Sequence, residues 1–557
     1  MEGRIIPTCK LLISSAALAA FLVPAQASAI TRLDLPRIYL AARAAAIDGN
    51  HSRSARLLAR LVDTSTASQS VAKEAVSQAI SAGDMKLALR LMKSLPDAST
   101  PIEGRFLQIA EAIRSNESSR ALSMLQGTSP GTDIGFLRPF VAAWAAADDR
   151  DLPRALAALD RLSSRDLLAA LGPEQRALIL LKFGRVADAD PFVAQALKSG
   201  GGREQRMRLA FADSYLALGD RTRALSMVEG LTSDVARARA RVLAGKQGGA
   251  RIDNGRRAFS EVLIVLAAEL NRLHNQSMPI ALTQIARYAA PENSATAIML
   301  GLMLDDRGRV DEAIAAFRSV PANDGLATQA RDAEVRSLRG ADRDKEALQA
   351  AQRALANGPA DAGDYARLGD VFAAVGRQGD AAAAYARALQ LVDQSKPENR
   401  WPLLLLRASA LEEGNRWPEA RHDLTQALAL APDEPLILNF LGYAKLERGE
   451  DIDVAEAMIR KASALAPDDA SITDSLGWAL YKRGRLDEAV EVLSRAAKAD
   501  PTQAEIREHL GDALYKAGNR FEARYAWSAA LITADDEIAG RVKAKIEAGL
   551  TPATAAP

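Results

Sequence analysis

Cysteine is almost absent from this chain, because Cys9 is the only one among 557 residues. A bacterial lipid-attachment cysteine follows an apolar run within a Leu-small-small-Cys box, whereas Cys9 precedes the run at residues 11–23. We therefore expect no lipid anchor at Cys9. If the segment that carries Cys9 is removed, then disulfides, thiolate metal sites and cysteine nucleophiles are excluded from the mature protein.

The first 29 residues have the pattern of an export signal, which predicts a domain boundary at 1–29. Arg4 and Lys10 form a weakly basic start, residues 11–23 are apolar, and Ala27 and Ala29 form a small-x-small cleavage site. The apolar run is too short to span a bilayer comfortably. We expect cleavage after Ala29 and a periplasmic mature chain, soluble or peripherally associated with the envelope, with no transmembrane segment. An uncleaved anchor is the alternative.

Aromatic residues make up only 5% of the sequence although 48% of it is hydrophobic, so alanine supplies much of the apolar content. No segment alternates apolar and polar residues as a half-buried strand does. The net charge of +1 does not predict nucleic-acid binding. By count, residues 30–250 carry a charge of about +8 and residues 251–557 about −8, which either steers different partners to the two parts or is compositional drift.

Catalytic motifs are missing as well. The four histidines fall in separate parts of the chain, and no HExxH, GxSxG or strand-linked GxGxxG motif occurs. The carboxylates lie on helix faces and in turns typical of solvation and capping. We therefore predict that the protein is not an enzyme and holds no metal or cofactor.

A 34-residue repeat dominates the second half of the chain. In the unit that begins near residue 471, large and small apolar residues and a closing proline recur at fixed offsets, namely at Leu476-Gly477, Leu480, Ala489, Leu493, Ala496 and Pro501. The next unit repeats the pattern at Leu510-Gly511, Leu514, Ala523, Trp527 and Ala530. A helix pair of this kind cannot bury its apolar face alone, so such units stack.

Alanines in the second helix of each pair define the repeat along the whole chain: Ala55, Ala88, Ala121, Ala155, Ala189, Ala224, Ala281, Ala313, Ala347, Ala381, Ala420, Ala455, Ala489 and Ala523. Their spacing is 32–35 residues except for 39 after Ala381 and 57 after Ala224. The sequence therefore predicts an all-α superhelix, or α-solenoid, of about 14 helix-turn-helix units with a central irregularity. Glycines such as Gly414, Gly484 and Gly518 are expected to end the first helices.

We place the main division at about residue 250, which gives an N-terminal array at 30–250 and a C-terminal array at 251–535. Residues 245–255 either act as a hinge or belong to an ornamented repeat that packs continuously. Residues 536–550 are predicted to form a capping helix, and residues 551–557 a disordered tail. The charges expected to face water on the capping helix are Arg541, Lys543, Lys545 and Glu547.

A partner-binding groove is predicted on the first helices of the last three repeats. Aromatic and polar residues occur there at positions that helical geometry turns away from the second helix. The predicted groove residues are Asn439, Tyr443, Asp474, Trp478, Tyr481, Lys482, Tyr515 and Lys516. In the alternative interpretation, Trp478 and Tyr481 lie flat against neighbouring helices as packing.

These repeats resemble the tetratricopeptide superfamily from about residue 36 to 535, most strongly after about 291. The segment D-S-L-G-W-A-L-Y-K-R-G-R-L-D-E-A, together with the export signal and long array, is similar to periplasmic tetratricopeptide adaptors of carboxyl-terminal processing proteases. That resemblance implies a scaffold that docks a protease and delivers cell-wall hydrolases to it. The absence of a lipobox departs from the well-known lipoprotein members. The alternative is an assembly factor for polysaccharide or outer-membrane secretion.

Overall fold

A computed structural model describes residues 34–64, 68–126, 134–162, 168–231, 235–273, 278–356, 360–392 and 397–556. Within these ranges the regular elements are helices, without any β-strand, which confirms the predicted all-α class. The export signal with Ala27 and Ala29 lies outside the described residues and stays a prediction.

Thirty α-helices are present in the described residues, and short 3-10 turns precede α5, α7, α9 and α11. The first fifteen are α1 (Leu35–Ile47), α2 (His51–Val62), α3 (Gln69–Ser81), α4 (Met85–Met92), α5 (Ile102–Arg114), α6 (Ser118–Met124), α7 (Arg138–Asp148), α8 (Leu152–Leu159), α9 (Gly172–Lys182), α10 (Val186–Ser199), α11 (Glu204–Ala217), α12 (Arg221–Glu229), α13 (Val235–Leu243), α14 (Gly255–Arg272) and α15 (Met278–Ala289). The others are α16 (Ser294–Asp305), α17 (Val310–Arg318), α18 (Ala327–Gly340), α19 (Asp344–Leu355), α20 (Ala362–Ala374), α21 (Gln378–Leu391), α22 (Pro397–Glu413), α23 (Trp417–Leu430), α24 (Pro435–Glu447), α25 (Ile452–Leu465), α26 (Ala470–Lys482), α27 (Leu486–Ala499), α28 (Ala504–Lys516), α29 (Arg520–Ala530) and α30 (Asp536–Ala548).

Most of these helices pack as sequential pairs, from α1 with α2 to α28 with α29, while α13 and α30 stand outside the pairing. All fourteen alanines that define the repeat in the sequence lie in second helices and are buried. A small side chain there lets the two helices of a pair approach closely, so a bulkier residue would overpack the contact.

Backbone conformation explains the turns within the pairs. Gly484 and Gly518 have φ values of 75° and 94°, in the left-handed region that glycine adopts without steric cost. Between α22 and α23 the left-handed residue is Asn415, at φ 59°, and not Gly414 as the sequence suggests. Asparagine tolerates this region because its short side chain bonds locally.

The chain divides into two compact units, residues 1–105 and 106–557. In the first unit, the described helices are α1 to α4 and the start of α5. In the second, the remainder of α5 and all later helices belong together. The division predicted at residue 250 therefore lies inside the second unit.

The central irregularity is a segment tied down by buried hydrogen bonds. The carboxylate of Asp213 on α11 accepts the backbone N–H groups of Gly248 and Ala250, each at 2.8 Å. Arg206 donates to the carbonyl of Ala250 at 2.8 Å, and the N–H of Gly325 donates to the carbonyl of Gly248 at 2.6 Å. These bonds favour the continuously packed alternative over a hinge at residues 245–255.

The same part of the second unit brings distant helices together. Lys182 on α9 donates to the carbonyl of Asp253 at 2.7 Å, and the N–H of Gly255 donates to Asp148 on α7 at 2.9 Å. As a result α14 packs against α7 as well as against its partner α15. The first helices α7 and α14, which are far apart along the chain, are therefore in direct contact.

Candidate functional site

The candidate site is the side of α24, α26 and α28 that faces away from their partners α25, α27 and α29; we call it the first-helix face. Glycines fix its orientation. A Cβ at Gly477 would lie 2.5 Å from the Cγ of Leu493, and one at Gly511 would lie 2.3 Å from the Trp527 ring. Because these glycines must meet the second helices, the residues beside them turn toward the neighbouring first helices.

Trp478 follows Gly477 and is fully buried between three first helices. Its ring stacks on Tyr481 with centroids 4.5 Å apart and on His509 of α28 at 4.1 Å. Its indole N–H donates to Glu447 of α24 at 3.1 Å. Tyr481 is only 5% exposed, and burial raises its pKa to about 12. The burial of both rings therefore favours the alternative interpretation, in which Trp478 and Tyr481 pack against neighbouring helices and are not exposed to a partner.

The two lysines of the predicted groove cover these rings from the solvent side. The ammonium of Lys482 lies 5.2 Å from the centroid of Trp478 and 3.2 Å from the Glu447 carboxylate. The ammonium of Lys516 lies 4.5 Å from the Tyr481 centroid. A cation over an aromatic face is attracted by the ring quadrupole. The two lysines therefore form a positive rim above the rings of Trp478 and Tyr481, which we call the aromatic floor.

Tyr443 and Tyr515 are half-buried, at either side of this floor. Tyr443 packs against the buried cluster around Trp478 and Tyr481, which we call the Trp478 cluster. Burial, together with the nearby charge of Glu447, raises the pKa of Tyr443. The Tyr515 ring lies 5.4 Å from that of Trp527. The aromatic run predicted across three repeats is thus present, but it is mostly covered.

Three polar side chains recur at nearly the same register on α24, α26 and α28: Asn439, Asp474 and His509. The imidazole Nδ1 of His509 lies 2.8 Å from Asp474 Oδ2. Burial opposes protonation of this histidine, but the Asp474 carboxylate outweighs burial and raises the His509 pKa. Among the described residues, nothing pairs with the buried Asn439 Oδ1, Asp474 Oδ1 or His509 Nε2. A ligand group that hydrogen-bonds to these atoms would gain the most binding free energy, because each atom is buried without a partner in the described ranges.

A buried ionic cluster joins the capping helix α30 to α28. The ammonium of Lys545, fully buried, lies 2.6 Å from Glu508 and 2.8 Å from Asp512. Arg541 also contacts Glu508, at 3.0 Å. The capping helix is where the sequence predicts it, but Lys545 and Arg541 face inward, because two carboxylates spaced i, i+4 on α28 meet them.

Burial alone would raise the pKa of both carboxylates. For Glu508 the hydrogen bonds from Arg541 and Lys545 prevail and lower its pKa. For Asp512 burial prevails over Lys545 and raises its pKa. The cluster therefore stabilises the ionised form of Glu508. At Asp512, burial disfavours the ionised form more than Lys545 favours it.

The tail after α30 returns to the first-helix face. Gly549, at φ 86°, lies against Tyr515, since a Cβ there would be 2.3 Å from the tyrosine hydroxyl. Ala556 is 5% exposed, belongs to the Trp478 cluster, and donates its N–H to Asp512 at 3.0 Å. The disorder predicted for residues 551–557 is therefore wrong for residues 551–556, while residue 557 lies outside the described part.

Two family models match this part of the chain and the region before it. One, described as TPR repeat, matches residues 477–518, and the other, described as Tetratricopeptide repeat, matches residues 281–327 and 405–470. These three ranges of the chain therefore carry tetratricopeptide repeats. Such repeats are stacked helix pairs, and they support a scaffold for protein–protein interaction.

Two solved structures are similar to this chain at low sequence identity. The APC/C hetero-tetramer Cut9-Hcn1 is similar over 94% of this chain and 97% of that chain, at 15% identity and a TM-score of 0.37. MamA from Desulfovibrio magneticus RS-1 is similar over 31% of this chain and 94% of that chain, at 20% identity and a TM-score of 0.27. No curated protein matches the sequence.

Within the described ranges, no three His, Cys, Asp or Glu side chains lie together as metal ligands would. None of the helices in these ranges combines the length and the apolar character that crossing a bilayer requires.

Proposed function

We propose that this tetratricopeptide protein is a non-catalytic, exported scaffold whose first-helix face docks extended peptide segments of cell-envelope proteins. The observation that carries the proposal is the seat of residues 549–556 on that face. A short segment of small residues lies there without regular secondary structure of its own beyond a turn at Thr551–Thr554. The chain's own tail therefore lies on this face as a bound peptide would, which supports the proposal.

The chemistry of the face suits a peptide of small side chains. Ala556 belongs to the buried cluster that contains Trp478 and Tyr481, and its backbone N–H donates to a carboxylate oxygen of Asp512. Backbone bonding of this kind is independent of sequence, whereas the buried position of Ala556 suits a small side chain. The rim lysines Lys482 and Lys516 add attraction for acidic residues on either side of the bound segment.

A labelled peptide with the sequence of residues 549–557 tests this proposal. We expect it to bind a variant that ends at Ala548 and to bind the full chain much more weakly, because the tethered tail competes at a high effective concentration. The full-length variant Ala556→Arg should also bind the peptide. The charged arginine cannot occupy the buried position of Ala556 on the aromatic floor, so the tail of this variant no longer competes with the peptide. Circular dichroism verifies that both variants stay folded.

A matched peptide that carries arginine in place of alanine at position 556 is the control, and it should not bind. If the native peptide fails to bind both folded variants, the first-helix face is not a peptide site. Equal binding of the native and arginine peptides would also contradict the proposal, since the alanine contact would then contribute nothing.

Export rests on the sequence of residues 1–29, with the small residues Ala27 and Ala29 before the expected cut. Expression of the full gene in a secreting bacterium, followed by N-terminal sequencing of the periplasmic fraction, should give a chain that starts at Ile30. Recovery of uncleaved protein in the cytoplasmic fraction would refute export.

Delivery of substrates to a carboxyl-terminal processing protease is the more detailed form of the proposal, and the resemblance of residues 474–489 to such adaptors motivates it. A photo-crosslinking amino acid at Lys516 of the Ala556→Arg variant, in native envelope, should capture such a protease or a cell-wall hydrolase. Crosslinks to components of a polysaccharide synthase instead would replace the adaptor by an assembly factor.

A further inference from the structure

A cavity of about 330 Å³ lies at the central irregularity, far along the chain from the first-helix face. Its walls are α13, the segment that follows it, the loop that leads into α18, and the first turns of α18. Four cationic side chains and one carboxylate line it, together with two amides, and they are Arg237, Arg241, Lys246, Arg331, Asp324, Gln247 and Asn323. No aromatic ring takes part in this lining, so it offers no platform for a sugar or a base.

The one carboxylate of the lining is already engaged. Asp324 accepts the hydroxyl of Ser294 at 2.7 Å and the backbone N–H of Leu326 at 2.8 Å. Of the cations, Arg237 is held by Asp364 at 2.6 Å, and Arg331 donates to the carbonyl of Ala322 at 3.3 Å. Asp324 offsets only one of the four cationic side chains, so the lining keeps an excess of positive charge.

Lys246 and Arg241 supply the remaining charge. Lys246 is exposed at the edge of the cavity. The buried Nε of Arg241 has no hydrogen-bond partner among the described residues. The Asp213 carboxylate is close enough to Arg241 for their charges to interact, but its oxygens are taken up by the backbone N–H groups of Gly248 and Ala250. The Arg241 guanidinium thus lines the open cavity without an ion pair among the described residues.

Glycine makes room for Arg241 on both sides. A Cβ at Gly248 would lie 2.9 Å from the guanidinium, and one at Gly325 would lie 3.3 Å from its Nη2. The N–H of Gly325 bonds to the carbonyl of Gly248, so the two glycines form a fixed backbone cradle. The two glycines therefore leave the space that the Arg241 guanidinium occupies at the wall of the cavity.

We propose that this cavity binds a small polyvalent anion, of the carboxylate or phosphate class. Its volume is at the lower end of the range of about 300–1,000 Å³ seen for small-molecule sites. Arginine forks match the oxygens of carboxylate and phosphate in pairs, and Lys246 adds a mobile positive charge at the mouth. This proposal does not depend on the docking function of the first-helix face.

Isothermal titration of the full chain with citrate and with pyrophosphate, at low and constant ionic strength, tests the site. We expect saturable binding of at least one probe at one site per chain. Arg241→Gln should weaken that binding at least about tenfold, as expected when a charge-assisted hydrogen bond is lost. Lys246→Ala should weaken it by about threefold or more, as expected for a mobile charge at the mouth, and because this side chain is exposed, the variant keeps the fold.

The matched control is Arg239→Gln, which removes an exposed arginine from the same helix outside the cavity and should leave affinity unchanged. Binding of citrate alone assigns the site to carboxylates, and binding of pyrophosphate alone assigns it to phosphates. The proposal is overturned if neither probe binds saturably. It is also overturned if Arg241→Gln, Lys246→Ala and Arg239→Gln all bind like the unmodified chain.

Discussion

Replacing Trp478 with alanine distinguishes a core residue from a binding residue. The ring is fully buried, stacks on Tyr481 and His509, and donates a hydrogen bond to Glu447. Truncating a buried tryptophan costs about 3–5 kcal/mol through lost burial and the cavity left behind. The aromatic contacts and the hydrogen bond place Trp478→Ala in the upper half of this range.

Hydrogen exchange measured peptide by peptide is the suitable assay, because a repeat array need not unfold in one step. A loss of about 3 kcal/mol or more in local stability raises the exchange of slow amides in α26 and α28 by about a hundredfold or more. Tyr525→Ala is the matched control, since Tyr525 is 75% exposed on α29, and it should change exchange by less than about threefold. A similarly small effect of Trp478→Ala would refute the buried packing of this ring and restore Trp478 as a groove residue.

Two further changes probe the polar groups below the first-helix face. Lys545→Ala leaves Asp512 buried without its cation, so it should lower the free energy of unfolding in urea by about 3–5 kcal/mol. The control Lys543→Ala, at an exposed position on the same helix, should lower it by under about 0.5 kcal/mol. Equal losses for the two variants would place Lys545 in solvent. His509, which Asp474, Glu505 and Asp512 face, has a raised pKa, so its charged form stabilises the fold below about pH 6.5 and this contribution is lost as pH rises through the folded pKa. The stability difference between the unmodified chain and His509→Gln should therefore shrink as the pH rises above about 6.5, and a difference that grows with pH would contradict the Asp474 pairing.

The repeat itself could be predicted from sequence because its signals are local. Alanines that recur about every 34 residues, most of them with a glycine five or six residues before, are the direct imprint of two helices in close contact. The predicted glycine position is wrong at the turn between α22 and α23, where Asn415 and not Gly414 takes the left-handed conformation. A pattern of short-range geometry therefore suffices for the fold and for the capping helix.

The site could be predicted only in part, because burial on the first-helix face is decided by neighbours far along the chain. The sequence shows that Trp478 occupies a position that points away from α27. It does not show that His509 covers the ring or that Glu447 accepts its indole N–H. Lys545 is buried for the same reason. The spacing of Glu508 and Asp512, one turn apart on a helix that faces the cap, was the available signal for it.

The tail was the hardest part to predict, since its composition is typical of disorder and only tertiary contacts hold it. Hydrogen exchange at the Ala556 amide tests its seat most directly, because this N–H is bonded to Asp512 in a buried position. We expect this amide to exchange much more slowly than in the free peptide of residues 549–557, and excess free peptide to abolish the protection. Exchange at the rate of the free peptide would contradict the occupied first-helix face on which the proposed function depends.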